Sequence, residues 1–446
     1  MIVADAAHEI FALQTDDSDQ WMIYAPLAGK LSLVNKAAAR ETLLYAQNPQ
    51  SSLESPIIRE LIDSGYFEDE ALPEIDVFEE FDYRPVEVTL FPTEQCNLRC
   101  TYCYARAAAE GVKLSWEIAK AAIEFVFDNA KDQKSGVSLL FHGGGEPTQG
   151  WPLIERALDF ADHLSEQFNI PCTKALASNG VFSSAQAAVI AKRFDGITLS
   201  WDGPLQDQQR PLRNGKGSLS TLQRNCRILS DSGSIGIHLR TTCTQSILHT
   251  LPQLPKLALE LVPNLKSLQI EAAWASGRCE ETACPIASEF VRYFLEAFHI
   301  AKQLKLGLTY SGFQVNGIRT RFCGVSSPGF TVLSNGIISA CYEVKDAHDP
   351  RSEWAHFGAF DPNTQKFVFD PQKINHLRTF DVRHYDYCKD CFCKWHCAGD
   401  CIAKTVPTGI PSEHKGSPRC EINRSLTKAF LLESLQSQQT ERTSQI

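Results

Sequence analysis

Short apolar runs alternate with amphipathic helical stretches from Val86 onward. The runs are VEVTLF (86–91), VSLLF (137–141), TKALAS (173–178), GITLSW (196–201), IHLRTT (237–242) and LKSLQIEAA (265–273). Strand-length runs separated by helix-length segments are typical of parallel β/α units with right-handed crossovers. The pattern therefore predicts an α/β fold whose six strands form a parallel sheet, either open or as a partial (β/α)6 barrel like part of a TIM barrel. Reactive groups are then expected at the C-terminal strand ends.

The N-terminal region has a different pattern. A hydrophobic alternation around Trp21 to Tyr24 precedes segments 35–45 and 56–64, which predict two helices. The acidic stretch 68–82, which contains Pro73, buries little and predicts a linker. After about Thr309 the periodicity fades and cysteines become frequent. We therefore predict a small α+β domain at 1–80, the barrel at 84–310, a cysteine-rich domain at 311–432 and a polar tail at 433–446.

Composition and charge narrow the class of protein. The 446 residues, 43% hydrophobic and 22% charged, have the profile of a globular enzyme. The net charge of -10 is spread along the chain without a Lys/Arg block, so we expect no nucleic-acid partner. The N-terminus lacks the basic and apolar regions of a signal peptide, and no apolar run reaches about eighteen residues. We therefore expect a cytoplasmic location and no membrane partner.

The cysteines are numerous for such a chain. Sixteen cysteines without an export signal indicate a metal-binding framework rather than disulfides. The first group lies in PTEQCNLRCTYCYAR, where Cys96, Cys100 and Cys103 have the spacing C-x3-C-x2-C. Three thiolates on one loop can hold three corners of a four-iron cluster, whose fourth iron is then open to a small molecule. The alternatives are a zinc knuckle or buried thiols.

This spacing, with the aromatic Tyr102 just before the last cysteine, resembles the radical S-adenosylmethionine (SAM) superfamily. The resemblance implies that the open iron binds the amino and carboxylate groups of SAM. An electron from the cluster then splits a sulfur–carbon bond of SAM to give a 5′-deoxyadenosyl radical, which removes hydrogen from unactivated carbon. The protein is thus expected to be an oxidoreductase, with a reductant protein such as flavodoxin or ferredoxin as a partner.

The end of the second predicted strand carries a further match to this family. Gly144, Gly145, Glu146 and Pro147 correspond to its Gly-Gly-Glu-Pro element. Glycine allows the backbone to approach the amino group of SAM closely, and the carboxylate can accept its hydrogen bonds. Read alone, the same residues are also compatible with an ordinary tight turn.

Polar residues at the later strand ends complete the predicted site. The resemblance implies that Asn179, Ser200 and Arg210 contact the ribose and carboxylate of SAM, and a guanidinium is suited to fork onto a carboxylate. Their alternative is a structural role in turns. Arg240 and Glu271 are charged residues in otherwise apolar strands. They either line the substrate cavity or pair at a strand end.

Seven of the C-terminal cysteines are Cys323 and Cys341, then Cys388, Cys391, Cys397 and Cys401 in the spacing C-x2-C-x5-C-x3-C, and finally Cys420. Their pattern resembles the twice-clustered extension called SPASM, which would bring the total to three 4Fe-4S clusters. By this resemblance the outer auxiliary cluster is bound by Cys388, Cys391, Cys397 and Cys420, and the inner one by Cys323, Cys341 and Cys401. The inner cluster either keeps an open iron or takes Cys393 or Cys279 as its fourth ligand. A pair of zinc ribbons is the alternative. The scattered cysteines are expected to fill the core: Cys172, Cys226, Cys243 and Cys284.

The resemblance extends to the class of substrate. Residues 1–80 resemble the leader-binding region of maturases of ribosomally made peptides, which can capture a precursor peptide by strand addition. We therefore expect a maturase that installs a crosslink or another carbon-centred modification, unless this region only packs on the barrel. Anaerobic sulfatase-maturating enzymes place an Asp directly after the cysteine that matches Cys341, whereas this chain has Tyr342 and Glu343. An iron–sulfur electron carrier is the non-enzymatic alternative.

Overall fold

The computed structural model of the protein describes residues 9–15, 17, 19–49, 55–68, 83–326 and 329–443. They fall into two compact units. The barrel unit comprises residues 78–311 and 324–378, and the terminal unit comprises residues 1–77, 312–323 and 379–446. These units cut across the predicted domain bounds, because segment 324–378 belongs with the barrel and the N-terminal region belongs with the last cysteines.

The barrel unit contains the six predicted strands. They are β4 (Glu87–Leu90), β5 (Val137–Phe141), β6 (Cys172–Ser178), β7 (Gly196–Ser200), β8 (Gly236–Cys243) and β9 (Ser267–Ala272), followed by the short β10 (Gly307–Thr309). Neighbouring strands pair in parallel, in the order β10-β9-β8-β7-β6-β5-β4. The prediction of a parallel α/β sheet is confirmed. Within the described residues β10 and β4 do not pair, so the sheet is an open, partial barrel.

Helices connect these strands. They are α3 (Trp116–Gln133), α4 (Trp151–Phe168), α5 (Ser184–Arg193), α6 (Gln206–Gln209), α7 (Leu219–Ser232), α8 (Leu254–Leu261) and α9 (Ala287–Gln303). Local sequence sets their ends. Ser115 caps α3 through the backbone N–H of Ile118, and Ser183 forms a capping box with Gln186 at α5. The alternation Ile237, Leu239, Thr241 and Cys243 packs one face of β8 into the core, so its other residues face the barrel interior.

Segment 324–378 extends the same sheet beyond β4. It contributes β11 (Phe330–Val332), β12 (Ile337–Ser339), β13 (His356–Asp361) and β14 (Lys366–Phe369), with α10 (Ser352–Ala355) and α11 (Pro371–Arg378). β11 pairs with β4 in parallel, and the later pairs are antiparallel. Their register places Cys341 close after β12. The sequence had predicted only a loss of periodicity here.

The terminal unit begins with a three-stranded antiparallel sheet and two helices. Its elements are β1 (Phe11–Gln14), β2 (Gln20–Ala25), β3 (Lys30–Asn35), α1 (Lys36–Gln47) and α2 (Pro56–Asp63). This confirms the hydrophobic alternation and both predicted helices. One sheet face packs Ile23 and Ala25 against Leu43 of α1 and Leu61 of α2. The predicted linker 68–82 lies outside the described residues apart from Glu68.

The other face of this sheet is covered by the C-terminal helix. The last elements of the unit are α12 (Lys394–Cys397), α13 (Ile402–Thr405) and α14 (Arg419–Thr443). Met22 and Tyr24 pack against Leu431 and Leu435 of α14. The Tyr24 hydroxyl also hydrogen-bonds the ring of His396. The predicted polar tail is therefore helical as far as residue 443, and the N-terminal sheet shares a core with the cysteine-rich segment.

Among the residues that the structure describes, no helix is both long and apolar enough to cross a lipid bilayer.

Candidate active site

The first cysteine group lies on a long loop, residues 93–113, that follows β4. Backbone groups fix the loop: the N–H of Cys96 donates to the carbonyl of Ala108 at 2.8 Å, and bridges join residues 93 and 113. Arg213 and Arg278 hold it from outside, donating to the carbonyls of Cys96 at 2.6 Å and of Cys100 at 2.9 Å. A loop anchored at both ends and at its middle presents its three thiols in a fixed arrangement.

The three thiols share one small hydrophobic cluster. Cys100 is buried beside Leu98 and Val181, with Cys96 and Cys103 packed against them. Burial, with smaller contributions from Glu146 and the other two thiols, raises the pKa of Cys96 to about 12. Burial also raises the pKa of Cys100, and bound iron would stabilise the thiolate form of such buried cysteines. The donor set therefore fits a metal cluster that takes three cysteine ligands.

A site for a single metal ion needs its ligands closer together than a cluster does. Within the described ranges, no three His, Cys, Asp or Glu side chains stand close enough together to hold one metal ion. In a four-iron cluster each thiolate binds a different iron, so its ligands stand further apart than those of a single ion. The assignment of Cys96, Cys100 and Cys103 as cluster ligands stays a prediction.

A buried ionic network joins this loop to β7. The Asp202 carboxylate accepts hydrogen bonds from the Tyr102 hydroxyl, from Arg210 Nε at 2.9 Å and from the backbone N–H of Thr242 at 3.1 Å. Burial opposes the charge of Arg210, but Asp202 outweighs it and raises the Arg210 pKa. The guanidinium lies 5.1 Å from the centre of the Tyr102 ring, and its Nη1 is 4.0 Å from the sulfur of Cys100. Arg210 therefore lies beside the loop, as the predicted site requires.

Glu146 joins the ends of β5 and β6. Its buried carboxylate accepts four hydrogen bonds: from the N–H and hydroxyl of Thr148, from the Ser178 hydroxyl at 2.7 Å and from the N–H of Asn179 at 2.7 Å. The Asn179 amide in turn donates to Asn97 at 2.8 Å. These bonds give Glu146 and Asn179 positioning roles around the cysteine loop. Their direct contact with SAM stays a prediction, as does that of Ser200.

Two glycines let backbone segments approach the loop. A Cβ on Gly145 would stand 2.2 Å from the carbonyl oxygen of Gln95. Gly277, at φ +60°, would place a Cβ 2.3 Å from the carbonyl of Cys103. Neither position has room for a side chain, so the second glycine of the Gly-Gly-Glu-Pro element serves at least to pack that turn against the cysteine loop.

Arg240 and Glu271 have different environments. Glu271 accepts hydrogen bonds from the N–H and hydroxyl of Ser311, at 2.9 and 2.8 Å, and from Gln269. It therefore pairs at its strand end. Arg240 lies on the interior face of β8, in register with Ser200 of β7, and is exposed. Glu271 therefore has a structural role at its strand end, whereas Arg240 faces the barrel interior.

The residues after Cys341 face the same interior. The Tyr342 hydroxyl lies 3.1 Å from the hydroxyl of Thr89, and its ring lies 4.7 Å from that of His142. Glu343 lies 3.8 Å from Arg351. Burial, then the charges of Glu343, Cys103 and Cys341, raise the pKa of Tyr104. The barrel unit therefore brings Cys341 and Glu343 to the Tyr104 side of the cysteine loop.

In the terminal unit, one predicted set of cysteines is assembled. Burial raises the pKa of Cys388, and the nearby thiols of Cys397, Cys391 and Cys420 raise it further. These four are the residues predicted to bind the outer auxiliary cluster, and the structure brings them together. Cys393 lies beside Cys397 and Cys391, with its sulfur 3.1 Å from the Thr427 hydroxyl of α14. Cys393 therefore lies with the cysteines predicted to bind the outer cluster, not with the inner set.

The predicted inner set is divided between the units. Cys323 and Cys401 belong to the terminal unit and Cys341 to the barrel unit. Cys279 lies in the loop after β9, next to Arg278, whose N–H donates to the carbonyl of Cys103 at 3.0 Å. The inner cluster therefore stays a prediction. Of the scattered cysteines, Cys226 and Cys243 are buried in the core, as predicted, and Cys172 and Cys284 are half-buried.

Sequence reasoning assigned no role to several residues of this site. Asp202, Arg213 and Arg278 anchor the cysteine loop from positions about 100 to 180 residues away along the chain. His142, which directly follows β5, also faces the interior. The position of His142 immediately before the glycine-rich turn could have indicated that it belongs to the site. Arg213 and Arg278 lie in loops, where no periodic pattern in the sequence indicates a role for them.

Comparison with known proteins identifies the central domain. Residues 90–248 match the Radical SAM superfamily. The chain is 28% identical over 200 residues to an uncharacterised protein of Methanocaldococcus jannaschii, covering 44% of this chain and 66% of that protein. It is 21% identical over 202 residues to the radical SAM cyclopropyl synthase TigE of Paramaledivibacter caminithermalis, covering 40% and 42%. The chain thus spans less than two thirds of the length of these relatives.

Solved structures share the fold. The structure of anSMEcpe with bound AdoMet and the Cp18Cys peptide has a TM-score of 0.63 and 16% identity, covering 79% of this chain and 99% of that one. Streptococcus suis SuiB bound to the precursor peptide SuiA has a TM-score of 0.52 and 14% identity. That match covers 93% of this chain and 100% of SuiB, so it includes the terminal as well as the barrel unit.

Proposed function

From the premise that residues 90–248 form a radical SAM domain, we propose that the chain is a peptide maturase. It uses a 5′-deoxyadenosyl radical to install a crosslink or another carbon-centred modification in a ribosomally made precursor peptide. The observation that carries this proposal is the combination, in one chain, of a radical SAM domain and a three-stranded sheet whose outer strands pair with no further strand among the described residues.

The N-terminal sheet supplies the means of capturing a peptide. Its order is β1-β2-β3, and within the described residues neither outer strand pairs with a further strand. An extended peptide can add to such an edge through main-chain hydrogen bonds. SuiB, which was solved with its precursor peptide, has a comparable fold over nearly the whole chain.

The chain's own residues prepare the site for the cofactors. Cys96, Cys100 and Cys103 would bind the radical cluster, and Ser200 and Arg210 would bind SAM. When bound, these cofactors supply the radical that removes hydrogen from carbon. The protein holds the cysteine loop in place through Asp202, Glu146 and Arg278, and its partial barrel encloses the reacting groups. Two further clusters would be bound in the C-terminal segment, as in SPASM proteins.

Sulfatase maturation is the second candidate, because anSMEcpe has the same fold. The side chain after Cys341 argues against it. Tyr342 is held between Thr89 and His142 and is not a carboxylate. Glu343, the next residue, lies close to Arg351. The position expected to hold an Asp base therefore lacks one.

The test uses reconstituted protein incubated anaerobically with SAM and dithionite. We expect 5′-deoxyadenosine from the wild-type protein and none from the variant in which Cys96, Cys100 and Cys103 are all Ala. The triple variant should lose part of its iron and keep the part bound by the C-terminal cysteines. An electron carrier would form no 5′-deoxyadenosine, and unchanged iron in the triple variant would refute the ligand assignment.

The substrate class is tested separately. Co-expression with a short peptide encoded beside this gene should give a mass loss in the peptide, as hydrogen is removed when a new bond forms. The triple cysteine variant is the matched control, since it keeps the terminal unit intact. Formylglycine in a co-expressed sulfatase, with no change in any peptide, would favour the second candidate instead.

A further inference from the structure

Arg240 is an uncommon residue for the interior of a barrel. Its neighbours along β8 on the same face are His238 and Thr242, and the adjacent position of β7 is Ser200. Within the part of the chain that the structure describes, its guanidinium makes no hydrogen bond and no ion pair. Arg210, by contrast, is buried and paired with Asp202. Arg210 is thus anchored at the cysteine loop, whereas Arg240 has no such partner among the described residues.

A second polar group, His142, follows β5 within electrostatic range of Arg240. The Nδ1 atom of His142 is buried and has no hydrogen-bond partner among the described residues. Its ring lies against Phe91 and Tyr342, at centroid distances of 5.7 and 4.7 Å. The positive charge of Arg240 acts on His142 and on Tyr104, so both side chains lie within electrostatic range of the guanidinium. A buried nitrogen without a partner is costly unless a ligand satisfies it.

We propose that Arg240, with His142 beside it, forms a binding site for the carboxylate of an Asp or Glu side chain in the substrate peptide. This inference rests on the proposed function and deepens it. A guanidinium pairs with a carboxylate through two parallel hydrogen bonds, which fixes orientation as well as charge. Placed next to Ser200, the predicted SAM contact, the bound acidic residue would set which neighbouring carbon faces the radical.

SAM also carries a carboxylate, which is the competing ligand for Arg240. The predicted contacts for SAM are Ser200 and Arg210, and Arg210 lies at the cysteine loop with Nη1 close to Cys100. Arg240 is one strand further around the barrel from Ser200. Because Arg210 is the predicted partner of the SAM carboxylate, Arg240 is available for a second carboxylate, that of the peptide.

The experiment measures peptide preference with the reconstituted full-length protein. A random peptide library displayed on its encoding nucleic acid is selected for binding in the presence of SAM and without reductant. The proteins compared are wild type, Arg240→Gln, Arg240→Glu and the control Arg227→Glu, which changes an exposed arginine of α7. We expect Asp and Glu to be enriched at one position by wild type and by the control.

The Arg240 variants should lose this preference, with roughly tenfold weaker binding of the selected acidic peptides. Arg240→Glu should select Lys or Arg at that position instead. An unchanged preference in both variants, or no acidic preference in wild type, overturns the inference. So does a tenfold weaker affinity for SAM in Arg240→Gln with peptide preference intact, which would assign Arg240 to SAM.

The same preparations separate this inference from the proposed function. Each is also incubated with SAM and dithionite. If wild type forms no 5′-deoxyadenosine, the proposed function fails whatever the library shows. If it forms 5′-deoxyadenosine and the Arg240 variants select the same peptides, only the carboxylate site is refuted.

Discussion

At the scale of single residues, His142 provides a test through its protonation. Burial, followed by the positive charge of Arg240, lowers the His142 pKa to about 4, from 6.5 for an unperturbed histidine. The folded protein thus keeps His142 neutral while the unfolded chain takes up a proton as the pH falls through 6.5. The unfolding free energy should therefore decrease as the pH falls from about 6.5 to about 4, with no effect above pH 7. This group alone accounts for about 2 kcal/mol at pH 5.

The measurement compares urea unfolding of wild type and His142→Gln at pH 7.5 and pH 5. Glutamine cannot take up the proton, so the variant should lose less stability on acidification, by about 2 kcal/mol. His299, an exposed residue of α9, provides the control His299→Gln. Equal losses in wild type and His142→Gln would mean that His142 titrates normally in the folded protein.

Asp202 shows why single residues of the site escape sequence analysis. The turn Ser200 to Pro204 reads as a common Asp-Gly turn, and nothing local distinguishes it from a solvent-exposed one. Its carboxylate is fully buried, and hydrogen bonds from Tyr102 and Arg210 compensate for the loss of water. Tyr102 is 100 residues away along the chain. Motif spacing predicted Tyr102 and Arg210 as members of the site. The carboxylate that joins them depends on tertiary contacts.

At the scale of elements, Gly145 couples the second strand to the cysteine loop. Substitution by Ala would force its Cβ to within 2.2 Å of the Gln95 carbonyl oxygen. Relieving this clash requires a shift of the backbone, which costs more free energy than a shift of a side chain. The N–H of Glu146 also donates to that carbonyl at 2.7 Å. A shift of the turn should therefore break this hydrogen bond and detach the turn from the cysteine loop. We expect Gly145→Ala to lower the iron bound at the first cysteine group and to leave the C-terminal iron in place.

Gly196→Ala is the matched control, because a Cβ at this position in β7 meets only an ordinary contact at 3.7 Å. Iron content per chain, measured after reconstitution, should fall in Gly145→Ala alone. If both variants bind as much iron as wild type, the close approach of the turn does not hold the loop. If both lose it, the effect is a general one on the barrel.

The strands differ in how far the sequence predicted them. The six barrel strands were predicted within one or two residues, because each is a strand-length run of at least four residues that a helical segment separates from the next. β11 and β12 were missed. Each has three residues, and they are joined through a turn at Gly336 with φ +85°. Runs this short carry little periodicity, and their place in the sheet follows from pairing with β4, about 240 residues earlier.

At the scale of the whole molecule, the N-terminal and C-terminal segments belong to the same compact unit. Sequence patterns predicted a separate N-terminal domain because an acidic stretch follows it. The structure instead groups residues 1–77 with the last cysteines. Trp395 and Lys394 donate to the carboxylate of Glu9, which ties the segment between Cys393 and Cys397 to the first described residues. The N-terminal sheet and the last cysteine-rich segment therefore belong to one compact unit.

This grouping changes what removal of residues 1–80 should do. Deletion strips Met22 and Tyr24 from Leu431 and Leu435, and leaves His396 without the Tyr24 hydroxyl. Losing buried side chains of this size costs roughly 2–5 kcal/mol each. The truncated protein should therefore lose C-terminal iron and unfold at a lower temperature, while keeping iron at Cys96, Cys100 and Cys103. The matched control is Leu44→Ser, an exposed position of α1 outside the shared core. Full iron content and an unchanged unfolding temperature after deletion would show instead that the N-terminal region is an independent domain.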